Sequence, residues 1–300
     1  MDQAPSSPQD ARSGLPSCYR HPDRETGIRC TRCERPICPD CMVDASVGFQ
    51  CPDCARGTSG GREGRAATAA TRPRTLAGGT VAADPRLVTK ILIGICLAAF
   101  LAQKAAGAAF EERFFLLGQA YVPGLGSVQG VAEGQWYRLL TAMFLHGSYV
   151  HLLFNMLSLW WIGAPLEAAL GRARYLTLFF VSGLAGSALT YLVAEPNQPS
   201  LGASGAIFGL FGATAVLMRR LNYDMRPVLA LLAINLVITF YSGFNIAWQA
   251  HIGGLVAGVV VGYAMLHAPR ERRALVQYGT SAVVLAVVIG MALVRTAQLT

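Results

Sequence analysis

Residues 202–220 read Gly-Ala-Ser-Gly-Ala-Ile-Phe-Gly-Leu-Phe-Gly-Ala-Thr-Ala-Val-Leu-Met-Arg-Arg. This is an apolar run that opens on one serine and closes on two arginines. Over 203–218 it reads as a short membrane helix, below the about 20 mostly apolar residues that a full crossing needs. Gly205, Gly209 and Gly212 recur at spacings of four and three. That puts small residues along one stripe, where a second helix can approach closely. Ser204 opens the run between glycines, beside backbone N–H groups that have no partner within the helix. A serine alone in such a helix usually bonds to its own backbone, so its meaning depends on what the rest of the chain brings to it.

Outward from this run, the same character extends over 87–300. Six further apolar runs cover 87–109, 149–169, 175–194, 227–244, 248–268 and 274–294. Residues 1–86 are unlike them: polar, Arg-rich, and carrying seven of the eight cysteines. Only 14% of the chain is charged, against about 25% in soluble domains, so the chain reads as a small head on a polytopic all-α membrane body. Within it, 1–17 is a disordered lead, 18–54 a cysteine-rich head, 55–86 a flexible linker too poor in apolar residues to fold, 87–268 a six-helix core and 269–300 one additional helix. Residues 1–17 lack an apolar stretch of the signal-peptide type, which leaves the head on the side of synthesis.

Arginine and lysine fix the orientation. With the head inside, Arg86, Lys90, Arg172, Arg174, Arg219, Arg220, Arg226, Arg270, Arg272 and Arg273 fall inside, and only Lys104, Arg113, Arg138 and Arg295 fall outside. The net charge of +8 is thereby explained by membrane topology. Nucleic acid is not implied, since no helix of the head shows a basic face interleaved with aromatics. The link 110–148 becomes the one long outer loop, with Trp136 and Tyr137 suited to the membrane interface.

Polar groups inside a bilayer are costly and point to function. The candidates are His151 and Asn155 in the second helix, Ser204 in the fourth and His251 in the sixth, with His146 just before the second. These three helices all run from outside to inside. At about 1.5 Å per residue, His151 stands roughly 24 Å above Glu167, Ser204 roughly 22 Å above Arg219 and His251 roughly 28 Å above Arg270, so all lie a little below the outer face. His151 and Asn155, four residues apart, share one helix face. Gly254, Gly258 and Gly262 follow His251 as a second small-residue stripe, a match for the one after Ser204. Contact between the stripes brings Ser204 to His251 as nucleophile and base, with Phe208 placed to pack on the imidazole. His151 and Asn155 can donate to a developing oxyanion. A transporter is disfavoured, because the polar set does not reach the inner half.

The set His146, His151-Leu152-Leu153-Phe154-Asn155, Gly202-Ala203-Ser204-Gly205 and Ala250-His251-Ile252-Gly253-Gly254 resembles the rhomboid intramembrane serine proteases, and Trp136-Tyr137-Arg138 resembles the Trp-Arg element of their first loop. The resemblance covers about 87–268. It implies a Ser204–His251 dyad with no acidic third member and a cavity open to the outside. It also implies an oxyanion hole of His151, Asn155 and the Ser204 amide, and transmembrane protein substrates that enter sideways from the lipid bilayer. A catalytically silent relative that binds membrane helices is the alternative, though such relatives usually lack one member of the dyad. High Ala, Gly and Arg usage points to a GC-rich bacterial genome, and the expected location is a bacterial plasma membrane.

The head contains Cys18-x2-His21, Cys30-x2-Cys33, Cys38-x2-Cys41 and Cys51-x2-Cys54. Four such pairs supply eight ligands, enough for two structural zinc ions, and a reducing cytoplasm argues against disulfides. The spacing resembles B-box and related zinc fingers. That resemblance implies cross-bracing, with Cys18, His21, Cys38 and Cys41 on one ion and Cys30, Cys33, Cys51 and Cys54 on the other; sequential pairing is the alternative. Filled sites suit a protein-binding role for the head. Cys96, embedded in the first helix, reads as plain core.

Overall fold

The computed structural model describes residues 15–45, 47–55, 74–240 and 247–300. The chain divides into two units, Met1–Pro73 and Arg74–Thr300. The expected lead 1–17 falls almost wholly outside the described residues.

In the head, two-residue strands β1 (Val43–Asp44) and β2 (Phe49–Gln50) pair antiparallel. A 3-10 turn (Pro39–Cys41) precedes them and a helical turn (Pro52–Ala55) follows. The interior consists of Cys18, Cys30, Cys38, Cys41, Cys51 and Cys54 around Ile37. With one aliphatic side chain among these buried residues, the apolar core of the head is small.

The body is helical: α1 (Leu87–Ala106), α2 (Tyr149–Leu170), α3 (Arg172–Val193), α4 (Ser204–Arg220), α5 (Arg226–Phe240), α6 (Trp248–His267) and α7 (Arg273–Leu299). All seven expected helices are present. α3 and α7 are longer than their apolar runs, because flanking polar residues continue the helix. Among the described residues, five spans, 87–106, 149–170, 172–193, 248–267 and 270–299, are long and apolar enough to cross a membrane, and the chain is an integral membrane protein. At 17 residues α4 is shorter, and it is sunk among its neighbours, with Leu210 and Phe211 fully buried.

Small residues let α3, α4 and α6 meet backbone to backbone. A Cβ on Gly254 would collide with the Gly205 carbonyl, and one on Gly258 with the Gly209 backbone. Gly186 faces the Ala250 carbonyl at 2.6 Å from its Cβ position. These are the stripes read from the sequence, now in contact. α7 packs on α3, where Tyr191 Oη and Thr296 Oγ1 lie 2.9 Å apart.

Within 74–86, expected as part of the flexible linker, residues 77–79 form a turn buried against the body. Gly78 and Gly79 form a turn closed by the Gly79 N–H, which donates to Thr75 Oγ1 at 2.8 Å. Ala77, 1% exposed, donates its N–H to the Ala169 carbonyl at 3.1 Å. The turn fits because Gly79 lacks a side chain: a Cβ there would stand 2.7 Å from the Leu170 carbonyl. The rest of the expected linker, 56–73, lies outside the described residues.

The loop between α1 and α2 has its own structure: a short helix (Ala108–Phe114) and a hairpin of β3 (Ala120–Val122) and β4 (Ser127–Gln129). Arg138 is fully buried beneath it. Its Nη1 donates to the carbonyls of Glu112 and Phe115, both at 2.9 Å, and its Nε to Gln135 Oε1 at 2.6 Å. Trp136 and Tyr137 remain exposed, as an interfacial placement requires.

Candidate functional site

Ser204 is the first residue of α4 and His251 the fourth of α6. Their helices touch along the glycine stripes, and His251 Nε2 lies 2.8 Å from Ser204 Oγ. Phe208, one turn below the serine, stacks on the imidazole with centroids 4.0 Å apart and planes inclined by 8°. The stack fixes the ring plane, so the serine meets a nitrogen edge rather than a ring face. His251 is 4% exposed, and Ser204 stays half-exposed. A reacting group can reach the hydroxyl while the base is shielded.

His151 completes one side. Ser148 caps α2, its Oγ accepting the His151 backbone N–H at 3.1 Å. The Gly147 N–H donates to His151 Nδ1 at 3.5 Å, so Nδ1 is an acceptor and the ring proton sits on Nε2. That nitrogen points at Gly202: a Cβ there would lie 2.9 Å from His151 Nε2 and 3.6 Å from Ser204 Oγ. Gly202 has φ +133°, so both its backbone and the imidazole beside it demand glycine. Asn155 is buried, one turn along α2, and its Nδ2 donates to the His151 carbonyl at 2.9 Å. One amide hydrogen remains for another acceptor.

His146, just outside α2, is fully buried, with its ring centroid 5.2 Å from that of His151. Its Nδ1 bonds to the Phe144 carbonyl at 3.2 Å, and its Nε2 has no partner among the described residues. Burial, and then the neighbouring His151, pushes its pKa down to about 3. Gln103 grips the His146 backbone from α1: the His146 N–H donates to Oε1 at 3.0 Å, and Nε2 donates to the carbonyl at 3.3 Å.

Sequence reasoning missed two polar groups that support this frame. Gln103 lies within an apolar run. Glu167, near the end of α2, is 2% exposed and caps α1, accepting the N–H groups of Val88 and Thr89 at 2.9 Å each. Acidic groups at helix N-termini are stabilising. The signal was available in both cases, since each is a polar residue inside an apolar run.

In the head, Cys18, His21, Cys38 and Cys41 form one group and Cys30, Cys33, Cys51 and Cys54 another, the ligand atoms of each within 4.8 Å of one another. This is the cross-braced grouping; sequential pairing does not match it. His21 Nδ1 lies 3.3 Å from Cys38 Sγ and 3.5 Å from Cys41 Sγ, and Cys33 Sγ lies 3.8 Å from Cys51 Sγ. A tetrahedral ion with sulfur ligands at about 2.3 Å and nitrogen at about 2.0 Å separates its ligands by roughly 3.5–3.8 Å. Each group could hold one metal ion.

The family pattern described as Rhomboid domain matches residues 133–268. YdcA of Bacillus subtilis (strain 168), named for the rhomboid proteases, is 36% identical over 149 residues, which span 48% of this chain and 74% of that protein. Rhomboid protease GluP of the same strain is 36% identical over 139 residues, 45% of this chain but 27% of GluP. RHOMBOID-like protein 5 of Arabidopsis thaliana is 36% identical over 146 residues, 47% of each chain. For the last two, the chain thus spans half the relative's length or less.

Proposed function

The chain belongs to the rhomboid family, and from that premise we propose that it is an intramembrane serine endopeptidase cutting transmembrane segments of other proteins near the outer face of the bilayer. The observation that carries this is the 2.8 Å approach of His251 Nε2 to Ser204 Oγ, within reach for proton transfer.

In the proposed reaction Ser204 Oγ attacks the scissile carbonyl carbon while His251 Nε2 takes the hydroxyl proton. The carbonyl oxygen becomes an oxyanion, which accepts hydrogen bonds from His151 Nε2–H, the second Asn155 Nδ2–H and the Ser204 backbone N–H. His251 then returns its proton to the amine nitrogen as the C–N bond breaks, leaving an acyl-serine. Water, deprotonated by His251, attacks the acyl carbon, and the serine leaves with that proton. Residues 87–268 form the protease unit in this reading, with 269–300 as an addition to it.

We assign two structural zinc ions to the head, on Cys18, His21, Cys38, Cys41 and on Cys30, Cys33, Cys51, Cys54. Thiolate and imidazole in tetrahedral array favour zinc over harder cations. Bound zinc would cross-link the segments that carry its ligands. The head then serves as a cytoplasmic protein-binding module in a bacterial plasma membrane protein whose C-terminus faces outward.

The test is cleavage of a membrane-spanning reporter in proteoliposomes. Wild type is expected to release two fragments, and Ser204→Ala, with unchanged expression and thermal midpoint, none. Equal cleavage by both would overturn the mechanism.

A further inference from the structure

The ends of the helices remote from Ser204 carry a cluster of guanidinium groups that peptide hydrolysis does not use. Arg273, at the start of α7, lies across the Gly78 turn so closely that a Cβ there would stand 2.8 Å from its Cδ and 3.1 Å from its Cζ. Arg174 is tied by its Nε to Gln277 Oε1 at 2.7 Å and lies over the Tyr278 ring at 5.9 Å. Arg74 donates from Nη1 to the Gly78 carbonyl at 3.4 Å. Arg270 precedes Arg273 by three residues in the link before α7, and Arg220 ends α4. Among the described residues, no carboxylate pairs with any of these five.

Topology asks for arginines near the inner membrane surface, but it is satisfied as well by side chains spread into water. Here Arg273, Arg174 and Arg74 converge on one backbone turn. Gln277 holds that turn from beneath, donating from Nε2 to the carbonyls of Ala77 at 3.0 Å and Met265 at 2.7 Å. Gathered like charges cost free energy unless an anion sits among them.

A second feature adjoins the first. Between α6 and α7 lies an open groove of about 430 Å³, lined by Val259, Tyr263, Ala264, Ala268, Val276 and Thr280 among others. Tyr263 and Val259 are exposed along it, on a flank that the bilayer must cover. Ala268 precedes Arg270 by two residues and Val276 follows Arg273 by three, so the groove begins where the guanidinium cluster ends.

We propose that the cluster and the groove form one binding site for an anionic phospholipid. Its phosphate is held by Arg273 and Arg270, with Arg174 and Arg74 around it, and an acyl chain lies in the groove. Guanidinium suits phosphate through paired, charge-assisted hydrogen bonds, and basic pockets between membrane helices fit such head groups. A bound lipid would clamp α7 and the 74–80 turn to α6. The site is independent of the protease reading.

The test is lipid retention by the full chain in native mass spectrometry after delipidation, with phosphatidylglycerol, phosphatidylcholine or inorganic phosphate added. Wild type is expected to hold one phosphatidylglycerol about tenfold more tightly than phosphatidylcholine, and Arg270→Gln/Arg273→Gln to lose that preference. Should the double variant not fold, Arg270→Gln, an exposed change, is expected to cut the preference about threefold. Val276→Trp fills the groove and is expected to weaken both lipids. Equal retention of the two lipids by wild type overturns the proposal, as does an undiminished preference in the arginine variants. Full displacement of phosphatidylglycerol by millimolar phosphate, with Val276→Trp silent, reduces the site to one for a free anion and also overturns it.

Discussion

Gly254 packs directly on the Gly205 backbone, and this contact sets the distance between His251, three residues before the one, and Ser204, one residue before the other. A methyl group at 254 has no room, because the obstacle is a carbonyl rather than a movable side chain. Gly254→Ala is expected to lower stability by about 1–3 kcal/mol through overpacking and to lower cleavage more than tenfold, since about 1 Å of misplacement can cost roughly a hundredfold. Thermal midpoint and cleavage rate, measured together, check this. A stable variant at full rate would show that the stripe does not set the dyad.

His151 and Asn155 are expected to differ in weight. His151 directs its protonated nitrogen to the space beside Ser204 Oγ, whereas Asn155 already gives one hydrogen to the His151 carbonyl. His151→Ala should lower kcat by about 100–1000-fold with little change in KM, as loss of an oxyanion donor does. Asn155→Ala should cost about tenfold or less. Steady-state kinetics on a membrane-spanning reporter separates the two, and a KM effect without a kcat effect would assign His151 to substrate binding instead.

The head should depend on metal. Its interior is cysteine around Ile37, so a strong chelator is expected to make 18–54 sensitive to proteolysis and release about two zinc ions per chain. Cleavage of a reporter by the body should continue. Limited proteolysis with metal analysis reads the first result, and fragment release the second. Loss of cleavage on chelation would tie the head to catalysis.

His146 should impose a pH dependence on stability. Its folded pKa is held down to about 3, against about 6.5 for a free histidine. Between these values the unfolded chain binds the extra proton and the folded chain does not. Its contribution is therefore complete above about pH 6.5 and is lost as pH falls toward 3. The thermal midpoint of wild type should fall more steeply from pH 7.5 to 4.5 than that of His146→Gln. Parallel slopes would show that another group is responsible.

The helices and the Ser204–His251 pair were legible in the sequence because polar residues are rare in the apolar runs and the glycines recur at helical spacing. Phe208 was legible for the same reason, being one turn from the serine. The packed turn at 74–80 was not, since its low apolar content reads as linker. Ala77 is buried by partners, Ala169 and Gln277, that lie far along the chain. The cap that Glu167 provides for α1 is equally non-local. The loop structure anchored by Arg138 depends on backbone carbonyls of residues 112 and 115, which no side-chain pattern announces. In the head, spacing supplied the candidate ligands, and their three-dimensional grouping separated cross-braced from sequential pairing.

The central claim is that Ser204 is a nucleophile activated by His251. The most direct measurement is labelling of the purified protein in detergent by a serine-directed fluorophosphonate, comparing wild type, Ser204→Ala and His251→Ala. Labelling of wild type alone is the expected result. Equal labelling of Ser204→Ala, or of His251→Ala, would contradict the claim, the first by placing the reactive serine elsewhere and the second by removing the histidine from its activation.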